Sequence, residues 1–162
     1  MRYLEDFEVG AVHELGTVTV TEREIVEFAR KYDPQPFHVD TDLAGRSSFG
    51  GLIASGWLTA SLFMRCYVDS LLRDAAGEGS PGIDELRYLR PVRPGDQLTA
   101  RLTVLGIAPV ITRPTVGVMR PRCEMVAADG AVVFSMVLHS LFLRRPAGVV
   151  RPEALEATEL RS

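Results

Sequence analysis

The sequence predicts an α+β domain in which an antiparallel sheet curls around one long central helix. Three observations lead there. Residues 55–72 form a run whose Trp57, Leu58, Leu62, Phe63, Cys66, Tyr67, Leu71 and Leu72 leave almost no polar face, and a helix apolar on most sides has to be wrapped. Behind it come four β-rich segments divided by turn signals. The chain has 162 residues, 46% of them hydrophobic, which is the size of one ordinary domain with a real core. That domain is expected over residues 1–145, with residues 146–162 as a C-terminal tail carrying a weak helical pattern.

Taken in order, residues 11–20 end in T-V-T-V, β-branched positions that suit a pleated surface, and read as a strand. Thr21-Glu22-Arg23-Glu24 then fits a capping box, and Ile25, Phe28 and Ala29 recur at helical spacing to about Lys31. Asp33-Pro34 stops that helix. Pro34 and Pro36 predict a rigid extended loop up to His38, residues 40–46 a short helical turn, and Gly50-Gly51 a place of close backbone approach. The long helix opens at Ser55, which can cap it. Residues 74–82 are a turn-rich connector. Strands are expected at 83–92, 97–105, 116–127 and 131–143, with turns at Pro94-Gly95-Asp96 and Ala128-Asp129-Gly130. Pro109, Pro114 and Pro121 predict a bulge or loop near 108–113 and an edge position for that hairpin. His139 reads as a packed strand histidine.

The chemistry is concentrated in residues 32–57, YDPQPFHVDTDLAGRSSFGGLIASGW. Asp33 and His38 stand five positions apart in a stiff segment, so a carboxylate and an imidazole can reach one water, take its proton and return a proton to a neighbouring carbon. The free N–H groups of the following helix N-terminus carry roughly +0.5 charge and would stabilise an oxyanion forming there. Phe37, Phe49 and Trp57 are the side chains expected to set the depth of a pocket.

Composition narrows the classes. A net charge of −3 gives no reason to expect nucleic acid, although Lys31 is the single lysine among 18 basic residues and arginine forks suit phosphates. Cys66 and Cys123 have no metal or disulfide spacing, which points to a reduced, cytoplasmic protein. The N-terminal MRYLEDFEVG carries acids where a signal peptide has a basic patch, and the longest apolar stretch, 51–64, is too short to span a membrane.

The stretch D-P-Q-P-F-H-V-D, with F-G-G-L-I-A-S-G after it and Y-L-R-P-V-R-P-G-D further on, resembles the MaoC-like dehydratases, the family of R-specific enoyl-CoA hydratases. The resemblance runs from about Val9 to Leu143. It implies a hot-dog fold, with Asp33 and His38 as the water-activating catalytic pair. It also implies that the Gly56 N–H serves the thioester oxygen and that Ser61 lies beside the acyl group or the loop holding it. Gln35 stands where many members have Asn, and Ser55 where many have the His of a His-Gly pair; both bear on substrate choice. The implied reaction is hydration or dehydration of a 2-enoyl thioester, with CoA as part of the substrate. No metal or redox cofactor is called for, because the thioester already makes the β-carbon electrophilic. Arg87, Arg90 and Arg93 could meet CoA phosphates, but alternate arginines on a strand more often form a solvated face. An open sheet edge predicts a homodimer or higher homo-oligomer. Three other readings stay open: an acyl-CoA thioesterase on the same fold, a non-catalytic acyl-thioester-binding dimer, and metal ligation by Asp33, His38 and Asp40.

Overall fold

The chain begins with a 3-10 turn at Leu4–Asp6 and strand β1 (Val12–Thr19); residues 1–148 are described by the computed structural model. The capping box forms as the sequence predicts. Thr21 Oγ1 accepts from the Glu24 amide at 3.2 Å, and Glu24 Oε2 accepts from the Thr21 amide at 3.1 Å. These bonds start α1 (Glu22–Tyr32), which buries Ile25 and Ala29 and stops at Asp33. The segment after it does not stay extended. Pro36 occupies the first position of a single helical turn, α2 (Pro36–Val39), where its missing N–H costs nothing and its fixed φ favours the helix. Asp40 caps α3 (Thr41–Arg46) by accepting from the Leu43 amide at 2.9 Å. One oxygen of that carboxylate is therefore engaged at a helix end.

Helix α4 (Gly56–Ser70) is the expected central helix, followed by a 3-10 turn at Leu72–Asp74. Strands β2 (Ile83–Tyr88), β3 (Gln97–Pro109), β4 (Val116–Ala127), β5 (Val132–Leu138) and β6 (Ser140–Leu143) complete the fold. Every strand pair is antiparallel, in the order β1-β3-β4-β5-β2 with β6 also on β4. One core joins the helix to the sheet: Phe63 and Tyr67 of α4 are buried with Leu98, Leu102, Met125 and Phe134 of the strands. The rings of Phe63 and Phe134 lie 6.3 Å apart.

The helix is not wrapped all round. Its buried face carries Leu58, Thr59, Phe63, Cys66 and Tyr67, while Trp57, Ser61, Met64 and Val68 form an exposed stripe at helical spacing. Trp57, at the start of that stripe, meets Tyr88 of β2, the last strand of the sheet, edge-on at 6.4 Å.

Several strand expectations need correction. The strand placed at 83–92 stops at Tyr88, ahead of Pro91, which has no donor for a ladder. The strand placed at 97–105 continues to Pro109, with a register shift between Val104 and Gly106. The 131–143 strand divides at His139 into β5 and β6. The hairpin expected at an edge is internal. Pro121 is tolerated there because it pairs with Val104 at the β3 bulge, and on its other side β4 changes partner from β5, at Arg122, to β6, at Met119. His139 is not packed away either; its Nε2 lies 2.7 Å from Asp84 Oδ2 on β2, and its side chain is 30% exposed.

The end of the domain is tied to its beginning. Arg144 N donates to the Thr115 carbonyl at 2.8 Å, the Arg145 amide to Glu5 Oε2 at 2.8 Å, and the Arg145 guanidinium pairs with Asp6. The weak helical pattern expected in the tail lies outside the described residues. Among the described residues no helix is long and apolar enough to cross a membrane.

Phe63 is fully buried where helix meets sheet. Phe63→Ala is expected to lower unfolding free energy by about 3–5 kcal/mol, read as a lower urea midpoint at unchanged slope. A loss below about 1 kcal/mol would mean that the helix does not depend on this contact.

Candidate active site

Two helix ends and one buried connector build the site. Asp33 is the C-cap of α1, its amide donating to the Ala29 carbonyl at 2.8 Å. The α2 turn then brings His38 around, so that His38 Nε2 lies 3.4 Å from Asp33 Oδ2. The imidazole is almost wholly buried, at 6% side-chain exposure, and the carboxylate is 21% exposed. His38 Nδ1 lies 2.7 Å from the Ile53 carbonyl. A carbonyl only accepts, so Nδ1 carries the hydrogen and Nε2 is the nitrogen turned toward Asp33. In the neutral ring, Nε2 and the carboxylate are two acceptors facing one small space, and a water has two hydrogens to satisfy them.

The connector 52–55 is itself locked. Ile53 N donates to the Phe37 carbonyl at 3.2 Å and Ala54 N to the Val92 carbonyl at 2.8 Å, and Leu52, Ile53, Ala54 and Ser55 are all buried. Ser55 caps α4 by accepting from the Trp57 amide at 3.3 Å. Its hydroxyl also acts on the Asp33 carboxylate, favouring the ionised form. Asp33 Oδ1 accepts from Gln35 Nε2 at 2.8 Å. Gln35 first and Ser55 second hold the Asp33 carboxyl below its ordinary range, helped by His38 and opposed by partial burial. The two departures from the family pattern, Gln35 and Ser55, thus both act on the same carboxylate.

A cavity of about 380 Å³ opens beside this pair. Phe37, His38, Phe49 and Ile53 form one side, Gly56 and Thr59 the helix side, and Tyr88, Leu89, Arg90 and Val133 the sheet side. Gly56 opens α4, so its amide is one of the first-turn donors that no intrahelical carbonyl can take.

Of the residues expected from sequence, the structure brings together Asp33, His38, Ser55, Gly56 and Phe37. It places Trp57 and Ser61 elsewhere. Trp57 is 57% exposed, and the Ser61 hydroxyl donates to the Trp57 carbonyl of its own helix at 2.7 Å. The physical reason is the helical repeat: Trp57 and Ser61 lie four apart on the outer stripe, whereas Gly56 and Thr59 face inward. Arg90 pairs with Asp129 at 2.6 Å and Arg93 donates to the Phe49 carbonyl at 2.6 Å. Thr59, Tyr88 and Val133 are cavity residues that sequence reasoning missed. Only Thr59 left a signal, as a hydroxyl on the inward face of the apolar helix.

Fold and site together define a hot-dog domain with an acid and an imidazole at the N-terminus of its central helix. The chain belongs to the MaoC-like family, since the family model described as MaoC like domain matches residues 7–120. It is similar to an (R)-specific enoyl-CoA hydratase of Rhodospirillum rubrum, 34% identical over 111 residues, which cover 67% of this chain and 74% of that protein. A crystal structure of the MaoC-like dehydratase from Rhodospirillum rubrum superposes with a TM-score of 0.80 at 38% identity, covering 90% of this chain and 99% of that one. A Mycobacterium tuberculosis protein with a double hotdog fold aligns with a TM-score of 0.73 over 93% of this chain and 46% of its own. At 18% identity, that likeness concerns the fold alone.

Removing a donor to an ionised carboxylate raises its pKa, so Gln35→Ala is expected to move the Asp33 titration upward. Side-chain carboxyl NMR over the acid range checks this. Linkage follows the same sign: Asp33 is depressed when folded, so its ionised form adds stability above the ordinary carboxylate range and loses it as pH falls through the depressed value. An unchanged titration in Gln35→Ala would remove Gln35 as the main cause.

Proposed function

We propose that the protein is a hydro-lyase that reversibly adds water across the double bond of a 2-enoyl thioester, converting enoyl-CoA to (3R)-hydroxyacyl-CoA. The observation that carries this reading is the 3.4 Å approach of Asp33 Oδ2 and His38 Nε2, with Nδ1 held by Ile53. A water seated against both acceptors is oriented by them and loses a proton to the pair. Its oxygen bonds to the β-carbon, and the electrons of the double bond move onto the thioester oxygen as an enolate. The Gly56 amide and the other first-turn donors of α4 hold that oxygen. The proton taken from water then goes to the α-carbon, so the elements of one water are added and nothing is left over. The electrophile is the conjugated thioester itself, and the reaction calls for no metal or redox group.

The exposed stripe of α4, with Trp57, Met64 and Val68, reaches the edge strand β2 where Trp57 meets the exposed Tyr88. An apolar patch along an unpaired edge strand is a surface that soluble proteins cover, and a second copy of the chain is the occupant in this reading. Two free cysteines fit work in the reducing cytoplasm.

Wild-type protein is expected to consume the enoyl absorbance of crotonyl-CoA, and Asp33→Asn and His38→Ala each to lower kcat by about 10²–10⁴-fold. Turnover surviving both substitutions would take the pair out of the mechanism, and release of free thiol from saturated acyl-CoA would indicate thioester hydrolysis instead. Light scattering should give twice the chain mass of 17.8 kDa, with Val68→Glu shifting it toward one chain. A monomeric wild type would leave the stripe without its proposed occupant.

A further inference from the structure

The aromatic ring of Tyr88 occupies a position that the reaction itself does not explain. A Cβ added at Gly56 would lie 2.5 Å from Tyr88 Cε1 and Cζ, so the ring rests directly on the helix backbone at the residue that opens α4. Glycine is needed there for contact, since no other residue leaves room for the ring. The ring is flanked by Phe134 at 5.9 Å and meets Trp57 edge-on at 6.4 Å. Behind it the β2–β5 register shifts between Asp84 and Arg87, with Glu85 at φ 55. A non-glycine residue in the left-handed region marks a bulge, and bulges re-aim the side chains that follow. Tyr88 sits two residues past the end of that irregularity's strained turn, paired with Phe134.

The ring therefore stands between the reacting end of the cavity and the open edge of the sheet. It belongs to the terminal strand, lines the cavity and is 47% exposed, with Phe134 of the core beside it. The cavity it bounds, about 380 Å³, lies near the bottom of the range of roughly 300–1,000 Å³ for small-molecule sites. Thr59 and Val133 line the same cavity and are buried, whereas Tyr88 is a large lining ring, in contact with Gly56, that is not buried.

We propose that Tyr88 is the specificity-determining residue of the acyl site, its ring restricting the substrate to short enoyl groups. This rests on the reading of Asp33, His38 and Gly56 as the hydration site. Selection acts through volume, because the ring bounds the cavity into which an acyl chain longer than the reacting carbons must extend. The phenol hydroxyl has no part in it.

The test compares kcat/KM for crotonyl-CoA and octenoyl-CoA in wild type, Tyr88→Phe and Tyr88→Ala. Wild type and Tyr88→Phe should favour the short substrate to the same degree, and Tyr88→Ala should move the ratio toward octenoyl-CoA by about tenfold or more. Because both substrates meet the same enzyme sample, a partly unfolded variant lowers both values and leaves the ratio unchanged. A ratio equal to wild type in Tyr88→Ala, or an equal shift in Tyr88→Phe, overturns the proposal. If wild type hydrates neither substrate, the hydration reading fails by itself. Calorimetric titration with butyryl-CoA and octanoyl-CoA then decides the wall: Tyr88→Ala binding the longer chain about tenfold more tightly than wild type supports it, and equal affinities overturn it.

Discussion

The bond from His38 Nδ1 to the Ile53 carbonyl is the contact on which the rest of the site depends. It joins the α2 turn to the connector that becomes α4, and so sets the acid–imidazole pair in one frame with the helix N-terminus. It also decides the tautomer, because a carbonyl acceptor leaves Nε2 as the nitrogen that meets Asp33. The Ile53 amide answers with a bond to the Phe37 carbonyl, so the turn and the connector hold each other through two short links. A buried backbone needs such partners in any case; here the partners that satisfy the connector are the ones that aim the site.

Asp33 is reached from the opposite direction. Ser55 is the cap of α4 and also favours the ionised form of the Asp33 carboxylate, so one hydroxyl bears on the start of α4 and on the end of α1. The carboxylate stays ionised because Gln35 and Ser55 stabilise its charged form. Position and protonation state thus come from the same few contacts. Helix α4 in turn owes its place to the sheet: Phe63 and Tyr67 anchor one face in the core, while the Trp57, Ser61, Met64, Val68 stripe is left facing outward. The cavity lies where the inward face begins, between the α4 N-terminus and the β2 end of the sheet.

Much of this was legible in the sequence. The capping box at Thr21, the stop at Asp33-Pro34, the long apolar helix, and the glycine turns at Gly95 and Gly130 are local signals, and local chemistry decides them. The readings that failed required knowledge of neighbours. Prolines around Gln35 argued for an extended segment, but Pro36 at a first helical position favours a turn just as well, and the bond from His38 Nδ1 to Ile53 settles the choice. Pro121 argued for an edge, yet two irregularities meeting at one residue let it sit inside the sheet. Ser61 was expected beside the acyl group from the family resemblance and Trp57 as a side chain that sets pocket depth, and the helical repeat places both on the outer stripe of α4.

By itself the sequence determined most of the elements and their order and singled out Asp33 and His38 as neighbours, because capping, periodicity and backbone stiffness act over a few residues. Tertiary structure alone decided that Ser55 would act on Asp33, that Ile53 would orient His38, and that Tyr88 would lie on Gly56. Each of these joins segments whose approach depends on how the sheet closes over the helix, and no short stretch of chain contains that information.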